Sequence, residues 1–430
     1  MPRKFRIIMA MLVLLTTQAY TQRSTNSVYS RYGIGDLTYK GFARSSSMGG
    51  ISAGLRLKNN INYLNPASYT SQDTLSFIFD FGVRSAFNSY TNDEETFQFN
   101  TFNIDHLAIG FPVTRWWKSS VGLVPYSSMG YKITSRETVI NNPEDTVIKY
   151  FEGTGGITQL YFGNSFELFD HVSLGMNVSY LFGSLDKTLS QEFEENSYYN
   201  IFNEENSTRV GGFHYRFGLQ YHEKISENFS FVIGGTVENQ NALGTRSSLF
   251  STSTSTSTLT SQNSRVPDVD TIMNQSGARN EILLPTYYGA GLTFKYKNNL
   301  TAGIDYFKHN WSEASFLGEK DSITNSSGYA LGLEYVHDPA SFRAYWHTIR
   351  FRAGGYFNDT YFKINGIQLN EYGMTFGLGF PIRNSNSMFN IGLEIGQRGT
   401  TENNLIQENF KRLNFSFTLY DFWFIKRKFD

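Results

Sequence analysis

Ionisable residues are the first place to look for chemistry, and here they argue against a catalytic or metal site. Cysteine is absent, which excludes a thiolate nucleophile, a disulfide and thiolate ligation of a metal. The seven histidines show no spacing typical of metal ligands, and no Gly-x-Ser-x-Gly, P-loop or His-Glu-x-x-His motif occurs. We expect no enzyme, no cofactor and no metal; a dispersed Ser/His or Asp/His site is the less favoured alternative.

A second group of ionisable residues is more informative, because its members stand singly at alternate positions of apolar stretches. Residues two apart on a strand project from the same face. Each of these charges would therefore share a face with Gly, Ser and Thr and lie opposite a face of aromatic and aliphatic residues. The group comprises Asp80, Arg84, Arg216, Lys295, Asp305, Glu334, Arg350, Arg352 and Glu394.

Alternating strands are the elements that would position these charges. In FNIGLEIG (389–396), Phe, Ile, Leu and Ile alternate with Asn, Gly, Glu and Gly, which predicts a strand with one apolar face. Fourteen segments follow this period, near 74–90, 96–111, 118–134, 147–166, 171–189, 206–222, 228–241, 282–296, 299–311, 326–337, 344–358, 365–381, 387–398 and 408–421.

The N-terminus predicts export. MPRKFR is a basic region and IIMAMLVLLTT an apolar one, so residues 1–21 are interpreted as a secretory signal peptide. The apolar run is shorter than the roughly 18–20 residues that a spanning helix needs. The formal net charge of −1 offers no surface for nucleic acid. An exported chain without a membrane helix is either a soluble protein or a barrel.

Three features favour a membrane barrel: aromatic residues near the ends of the apolar stripes, long segments, and connections that alternate between short and long. We predict an all-β fold, a 14-stranded antiparallel transmembrane β-barrel over residues 73–430, in the bacterial outer membrane. Residues 241–281, with the tract STSTSTSTLTSQNS (251–264), are predicted to be a long extracellular loop. A glycan or receptor contact is the alternative role for that loop.

Residues 22–72 lack strand periodicity and are predicted to form a compact, turn-rich segment before the first strand. Gly49, Gly50 and Gly54 permit close backbone approach, and Asn65-Pro66-Ala67 predicts a turn or helix cap. A direct ligand contact by Asn65 or Pro66 is the less favoured alternative. Charges inside a lumen need partners, so we expect the alternating charges to bond one another and this segment, or else to line a polar path.

The third strand carries Pro125 between Val124 and Tyr126. Proline cannot donate to a strand ladder, so it predicts a bulge or a break in the wall. A harmless bulge near the rim and a lateral opening in the wall are equally favoured interpretations of Pro125.

The Met-Gly-Gly motif, Asn65-Pro66-Ala67 directly before the first strand, and fourteen strands resemble the FadL family of long-chain fatty acid transporters. They are also similar to the related PorV-type barrels of Bacteroidetes. The segment SVYSRYGIGDL (27–37) and the ending LYDFWFIKRKFD resemble uncharacterised FadL-like proteins of that phylum. The resemblance implies that residues 22–72, with Met48, Gly49 and Gly50, form a small N-terminal hatch, or plug, inside a 14-stranded barrel. It also implies a kinked third strand that releases substrate sideways near Val124, Pro125 and Tyr126. Arg350 or Arg352 would then be available to a fatty-acid carboxylate.

Two functions are therefore expected. The first is passive uptake of a hydrophobic small molecule, with lateral release near Pro125 into outer-membrane lipid. The second is a non-transporting barrel that serves as a subunit or scaffold of a larger outer-membrane complex, for protein secretion or outer-membrane assembly, with other outer-membrane proteins as partners.

Overall fold

The computed structural model describes residues 25–38, 40–92, 96–139, 142–193, 200–255, 268–316, 322–341, 343–383 and 385–422. The predicted signal peptide lies outside the described residues, as does most of the C-terminal LYDFWFIKRKFD. Across these ranges no helix is long and apolar enough to span a membrane.

Antiparallel strands account for most of the described chain, and they form one sheet. A two-residue strand, β1 (Asp36–Leu37), precedes them. The long strands are β2 (Ser76–Thr91), β3 (Thr96–Pro112), β4 (Trp117–Val139), β5 (Asn142–Leu168), β6 (Val172–Phe193), β7 (Ile201–Ser226), β8 (Phe229–Glu238), β9 (Asn241–Ser255), β10 (Asp268–Leu284), β11 (Tyr287–Tyr296), β12 (Leu300–His309), β13 (Ser326–Val336), β14 (Arg350–Ile364), β15 (Ile367–Pro381), β16 (Met388–Arg398) and β17 (Gln407–Phe422).

The sheet closes on itself, because β17 pairs with β2 along the full length of both strands. Two barrel strands are interrupted. The first consists of β8 and β9, which both pair with β7. The second consists of β10, which pairs with β9, and β11, which pairs with β8. Counted this way, the described residues form fourteen barrel strands, as the alternation predicted. Closure leaves no lipid-exposed edge where neighbouring strands stay paired.

The two faces of the wall differ as the alternation requires. On β7, Phe217, Leu219 and Tyr221 are exposed on the outside, whereas Arg216 and Gln220, which alternate with them, are buried. An outer aromatic and aliphatic surface suits contact with hydrocarbon, and a polar inner face requires partners inside the barrel.

The two ends of the barrel are built differently. At one end, the turn end, connections such as 113–116, 169–171 and 297–299 are short. At the other, the hairpin end, β4, β5, β6 and β7 extend to 23, 27, 22 and 26 residues. About 9–11 residues suffice for a membrane-spanning strand, so these strands continue well past the lipid-facing band.

Within the predicted extracellular loop over 241–281, residues 241–255 and 268–281 are not irregular, because they form strands β9 and β10 paired with each other. Residues 201–211 of β7 supply the ladder on the other side of β9. The tract lacks an apolar period because this part of the hairpin rises beyond the lipid, where neither face must be hydrophobic. Its threonines nevertheless favour extended backbone. Residues 256–264 of the tract lie outside the described residues.

The N-terminal segment (residues 25–72) contains three short helices: a 3-10 helix Val28–Arg31, an α-helix Ala43–Ser46 and a 3-10 helix Pro66–Ser71. Further 3-10 turns lie in barrel connections at Trp311–Glu313, Tyr345–Thr348 and Glu402–Asn404. The segment contacts strands on all sides of the barrel, from β4 through β7 to β15, β16 and β17. The barrel wall therefore encloses it.

An apolar layer crosses the barrel toward the hairpin end. Tyr29 and Ile34 of the N-terminal segment lie in it, together with wall and connection residues. Those residues are Met129, Tyr131, Ile157, Leu181, Leu185, Val210, Leu243, Ile282, Leu284, Trp311, Phe316, Tyr361, Phe362, Leu369 and Leu405. The wall members lie on β4 to β7, β9, β10, β14 and β15, so the layer spans a large part of the lumen at this level.

Small residues of the wall make room for the N-terminal segment, which gives a first prediction. A Cβ at Gly234 would overlap the carbonyl oxygen of Ala53, whereas one at Gly235 would meet no atom closer than 3.9 Å. We expect Gly234→Val to loosen the segment, so that it becomes protease-sensitive and the unheated barrel loses its compact mobility in SDS gels at a lower temperature.

Gly235→Val is the matched control, because it adds the same side chain at the next position and should leave both properties unchanged. Equal behaviour of the two variants would contradict the close packing of Ala53 against β8.

Candidate functional site: the barrel interior and the break in its wall

Glu334 on β13 is the centre of one buried ion-pair cluster. It accepts hydrogen bonds from Arg44 of the N-terminal segment (2.6 Å), Arg350 (2.9 Å) and Arg352 (2.7 Å). Burial lowers the pKa of the Arg44 guanidinium to about 10, although Glu334 opposes this effect. Arg44 therefore stays protonated at neutral pH and fastens the N-terminal segment to the wall.

A second cluster surrounds Lys40. Its ammonium group donates to Glu371 (2.9 Å) and Glu394 (2.6 Å) and lies 3.7 Å from the ring centre of Tyr356. Arg412 also donates to Glu394, at 2.9 Å. Three wall strands thus converge on one lysine of the N-terminal segment.

Further contacts reach the segment's backbone. Asp305 accepts from the amides of Ser52 (2.6 Å) and Ala53 (2.8 Å), and Lys295 donates to the carbonyl oxygen of Arg56 at 2.6 Å. Arg56 itself pairs with Glu167 at 2.9 Å, and burial lowers its pKa to about 10. Backbone groups buried in the lumen are thereby satisfied by wall side chains.

Asp80 and Arg84 belong to a cluster on β2 and β3. His106 contacts Asp80 at 3.0 Å and Asp105 at 2.8 Å, and Arg84 pairs with Asp105 at 2.6 Å. The ring of Phe42 stacks on His106 with centroids 3.7 Å apart. The remaining predicted charge, Arg216, pairs with Glu238.

All of the alternating charges named from the sequence therefore lie inside the barrel, but the structure divides them among several clusters rather than one site. Sequence reasoning missed further ionisable residues of the wall that form ion pairs inside the barrel: Glu167, Glu238, Glu371, Arg398, Glu408 and Arg412. It also missed Lys40, Arg44 and Arg56. The wall residues occupy inward-facing strand positions like the predicted set, so strand alternation could have identified them. The three cations lie in a segment without periodicity, and no sequence pattern pointed to them.

The Met-Gly-Gly and Asn-Pro-Ala motifs act in backbone geometry. Gly49 and Gly50 have φ of 71° and 89°, in the region that favours glycine, and the Gly49 amide donates to Thr375 Oγ1 at 2.8 Å. Asn65 is fully buried and caps the Pro66–Ser71 helix by accepting from the Ala67 amide at 3.1 Å. Met48 is likewise fully buried.

The wall is interrupted beside Pro125. Strands β3 and β4 pair from Pro112↔Lys118 to Leu107↔Leu123 and not beyond. The interruption coincides with two bulges. Asp105 is the extra residue of β3 against β2, and Tyr126 is the extra residue of β4 against β5. A bulge bends its strand, so two bulges at the same level separate the neighbours.

The N-terminal segment covers the edge of β4 that β3 leaves. The Thr38 amide donates to the carbonyl oxygen of Tyr126 (3.1 Å) and the Ser27 amide to that of Gly130 (2.8 Å). Between them, β1 pairs with Ser127 and Ser128. Backbone groups of β4 that would otherwise lack partners are satisfied in this way.

A cavity of about 1060 Å³ lies between the polar clusters and the apolar layer. Its lining includes Lys40, Arg216 and Asp305 inside the barrel and Ile104 and Pro125 at the interruption between β3 and β4. Among the described residues no cluster of three or more His, Asp or Glu side chains has a geometry suited to a metal ion. The chemistry the site offers is hydrogen bonding and ion pairing.

Fold and interior together define a closed 14-stranded outer-membrane-type barrel of FadL-like architecture. The whole chain, residues 1–430, matches the protein family BamG, and the protein belongs to that family. A comparison with curated proteins found no match.

Solved structures of similar fold are channels and transporters. The P. putida toluene transporter TodX has a TM-score of 0.60 at 14% identity, covering 90% of this chain and 99% of that one. The CymD monoaromatic hydrocarbon channel has a TM-score of 0.58 at 13% identity, with coverages of 90% and 99%. A Pseudomonas aeruginosa FadL homologue has 0.56 at 13%, with 91% and 99%. The FadL-like fold expected from sequence is confirmed, and these relatives are not enzymes.

The Glu334 cluster yields a second prediction. Glu334→Gln would leave three guanidinium groups around an uncharged partner, and removing one member of a buried ion pair costs about 3–5 kcal/mol. We expect a clear loss of barrel stability, measured as the urea concentration at which the unheated folded band disappears.

Glu137→Gln is the control, because Glu137 pairs with Lys149 at 2.6 Å on an exposed hairpin. Exposed pairs contribute little to stability, so this variant should behave as the parent protein. A Glu334 variant as stable as the parent would show that the cluster does not hold the barrel interior together.

Proposed function

We propose that this chain is a non-catalytic barrel of the bacterial outer membrane that serves as a subunit of a larger outer-membrane complex, one concerned with outer-membrane protein assembly. Residues 1–21 would act as its export signal and residues 22–72 as a plug. The relation to PorV-type barrels of Bacteroidetes is part of this proposal. The family designation BamG supports it, since it shares its prefix with the Bam proteins of barrel assembly.

The observation that carries the proposal is the filling of the barrel. Lys40, Arg44 and Arg56 fasten the N-terminal segment to buried carboxylates, and the apolar layer crosses the lumen above it. Burying a charge costs several kcal/mol unless it is paired, so these contacts favour a segment that stays in place. A permanently filled barrel suits a scaffold better than a solute path along the barrel axis.

The hairpin end offers a surface for a protein partner. Strand β10 pairs with β9. Residues 269–281 of β10, apart from Ala278, are exposed, and Val269 and Ile272 among them are 57% and 56% exposed. Exposed apolar side chains on this strand favour contact with a protein partner.

Purification of the tagged protein from native membranes in mild detergent tests the proposal. We expect at least one other outer-membrane protein to copurify in fixed stoichiometry. Val269→Arg combined with Ile272→Arg should reduce that recovery if the partner docks on β10, whereas Arg279→Gln on the same exposed strand should not. A homogeneous monomer from gently solubilised membranes would overturn the proposal.

A second candidate, passive uptake of a hydrophobic molecule with release through the wall, is favoured by the break between β3 and β4. The structural relatives include a toluene transporter and a monoaromatic hydrocarbon channel, which also supports an uptake function. The charged lining of the cavity is less suited to such a solute.

Crosslinking tests this candidate cleanly, because the chain contains no cysteine. A bifunctional maleimide joining Ile104→Cys to Thr158→Cys would bridge the break, and it should abolish uptake of toluene into proteoliposomes. The same reagent across Leu107→Cys and Leu123→Cys, which are already paired, should have no effect. Uptake that survives the first crosslink, or that is absent throughout, would exclude lateral release.

A further inference from the structure

The cavity lies between the N-terminal segment and the apolar layer, and its lining reaches the break between β3 and β4. Toward the turn end it is bounded by Ser52, Ala53 and Leu64 of the N-terminal segment, and toward the hairpin end by Tyr361 and Phe362 of the apolar layer. At the break, the N-terminal segment lies along the edge of β4, and Ile104 and Pro125 line the cavity beside it.

The lining of the cavity continues onto the outer face of the wall. Leu160 on β5 is exposed with the other outward residues, and strand alternation places Thr158, Thr154 and Glu152 on the same face. Thr158, Thr154 and Glu152 all line the cavity. The cavity therefore runs from the lumen through the break to the hairpin-side border of the lipid-facing surface.

The outer opening changes from apolar to polar. Phe102 and Ile104 on β3 are 49% and 66% exposed beside it, on the face that contacts hydrocarbon. Thr154 and Glu152 follow on β5 in the direction of the hairpin end. An amphiphile at this border would have its hydrocarbon chain beside Phe102 and Ile104 and its headgroup at the opening.

The charge of the cavity favours a cation or a zwitterion over an anion. Among the described residues, seven carboxylate side chains but only five Lys or Arg side chains line it. The carboxylate partners of Arg216 and Lys40, which are Glu238 and Glu394, add to this excess from behind the lining.

Unsatisfied atoms of the lining are oxygens. Ser127 Oγ at the break and Asp305 Oδ1 on the far wall have no hydrogen-bond partner among the described residues, and both residues are buried, with 2% and 7% of their surface exposed. Asn358 Oδ1, also of the lining, is unsatisfied in the same way. Carboxylate and amide oxygens accept hydrogen bonds, and a primary ammonium group offers three N–H donors.

We propose that the break between β3 and β4 is a binding site for a lipid that carries a primary amine in its headgroup. The amine enters the polar cavity past Glu152 and Ser127, and the acyl chains stay outside against Phe102 and Ile104. The site is separate from the exposed residues of β10 and does not depend on the chain being part of a complex.

Native mass spectrometry of the purified full-length protein with added lipids tests this site. We expect phosphatidylethanolamine to be retained in a saturable 1:1 complex. Phosphatidylcholine, whose headgroup has no N–H donor, and phosphatidylglycerol, which has no amine, should bind at least about tenfold more weakly, since a hydrogen bond to a charged group contributes about 1.5–3 kcal/mol.

Glu152→Gln and Ser127→Ala should each weaken phosphatidylethanolamine binding, with the larger effect, about tenfold, for Glu152→Gln. Glu137→Gln removes a carboxylate from the same hairpin outside the cavity and should leave binding unchanged. Folding of each variant is checked by the mobility of the unheated band.

Equal retention of the three lipids would overturn the proposal. Phosphatidylethanolamine binding that is the same in the parent protein, Glu152→Gln and Ser127→Ala would overturn it as well. Retention of a lysine-containing peptide in place of lipid would do so as well, because it would assign the opening to a polypeptide.

Discussion

Closure of the backbone hydrogen-bond ladder is the constraint on which the rest of this structure depends. A strand in hydrocarbon cannot leave its N–H and C=O groups without partners, because no water replaces the missing bonds and each lost bond costs several kcal/mol. Fourteen strands satisfy this requirement along almost the whole wall. Between β3 and β4 the ladder stops after Leu107↔Leu123, and the N-terminal segment supplies the missing partners for β4. The segment is thus part of the wall as well as the contents of the barrel.

That dual role explains why the interior is so polar. A segment with irregular backbone must find hydrogen-bond partners in the lumen, and side chains such as Asp305, Thr375 and Lys295 provide them. Cations of the segment then neutralise carboxylates that the wall could not bury alone. Pairing across the interface makes the two parts mutually dependent.

Much of the wall was accessible from sequence, because contact with lipid on one side forces strict alternation. FNIGLEIG is such a case: its apolar parity matches the outward face of β16. Beyond the membrane, lipid no longer imposes this alternation. The sequence of the β9–β10 hairpin therefore shows no apolar period that would predict strands. Pro125 correctly marked an irregularity, but the bulge lies at Tyr126, and its counterpart at Asp105 has no proline or glycine to signal it.

The interior was less predictable for a different reason. Strand alternation shows which wall residues point inward. Which of them form ion pairs depends on the register of the barrel strands and on the path of the N-terminal segment, whose sequence has no period. Glu334 could be assigned to the lumen from its neighbours; that it would bind Arg44, 290 residues away, could not.

The position of the break bears on which way molecules move. The N-terminal segment and the apolar layer lie on the axial path on either side of the cavity, whereas the lining of the cavity reaches Ile104, Thr158 and Glu152 at the break in the wall. This arrangement favours the proposed exchange with lipid, or with proteins embedded in it, over exchange with the solution on either side.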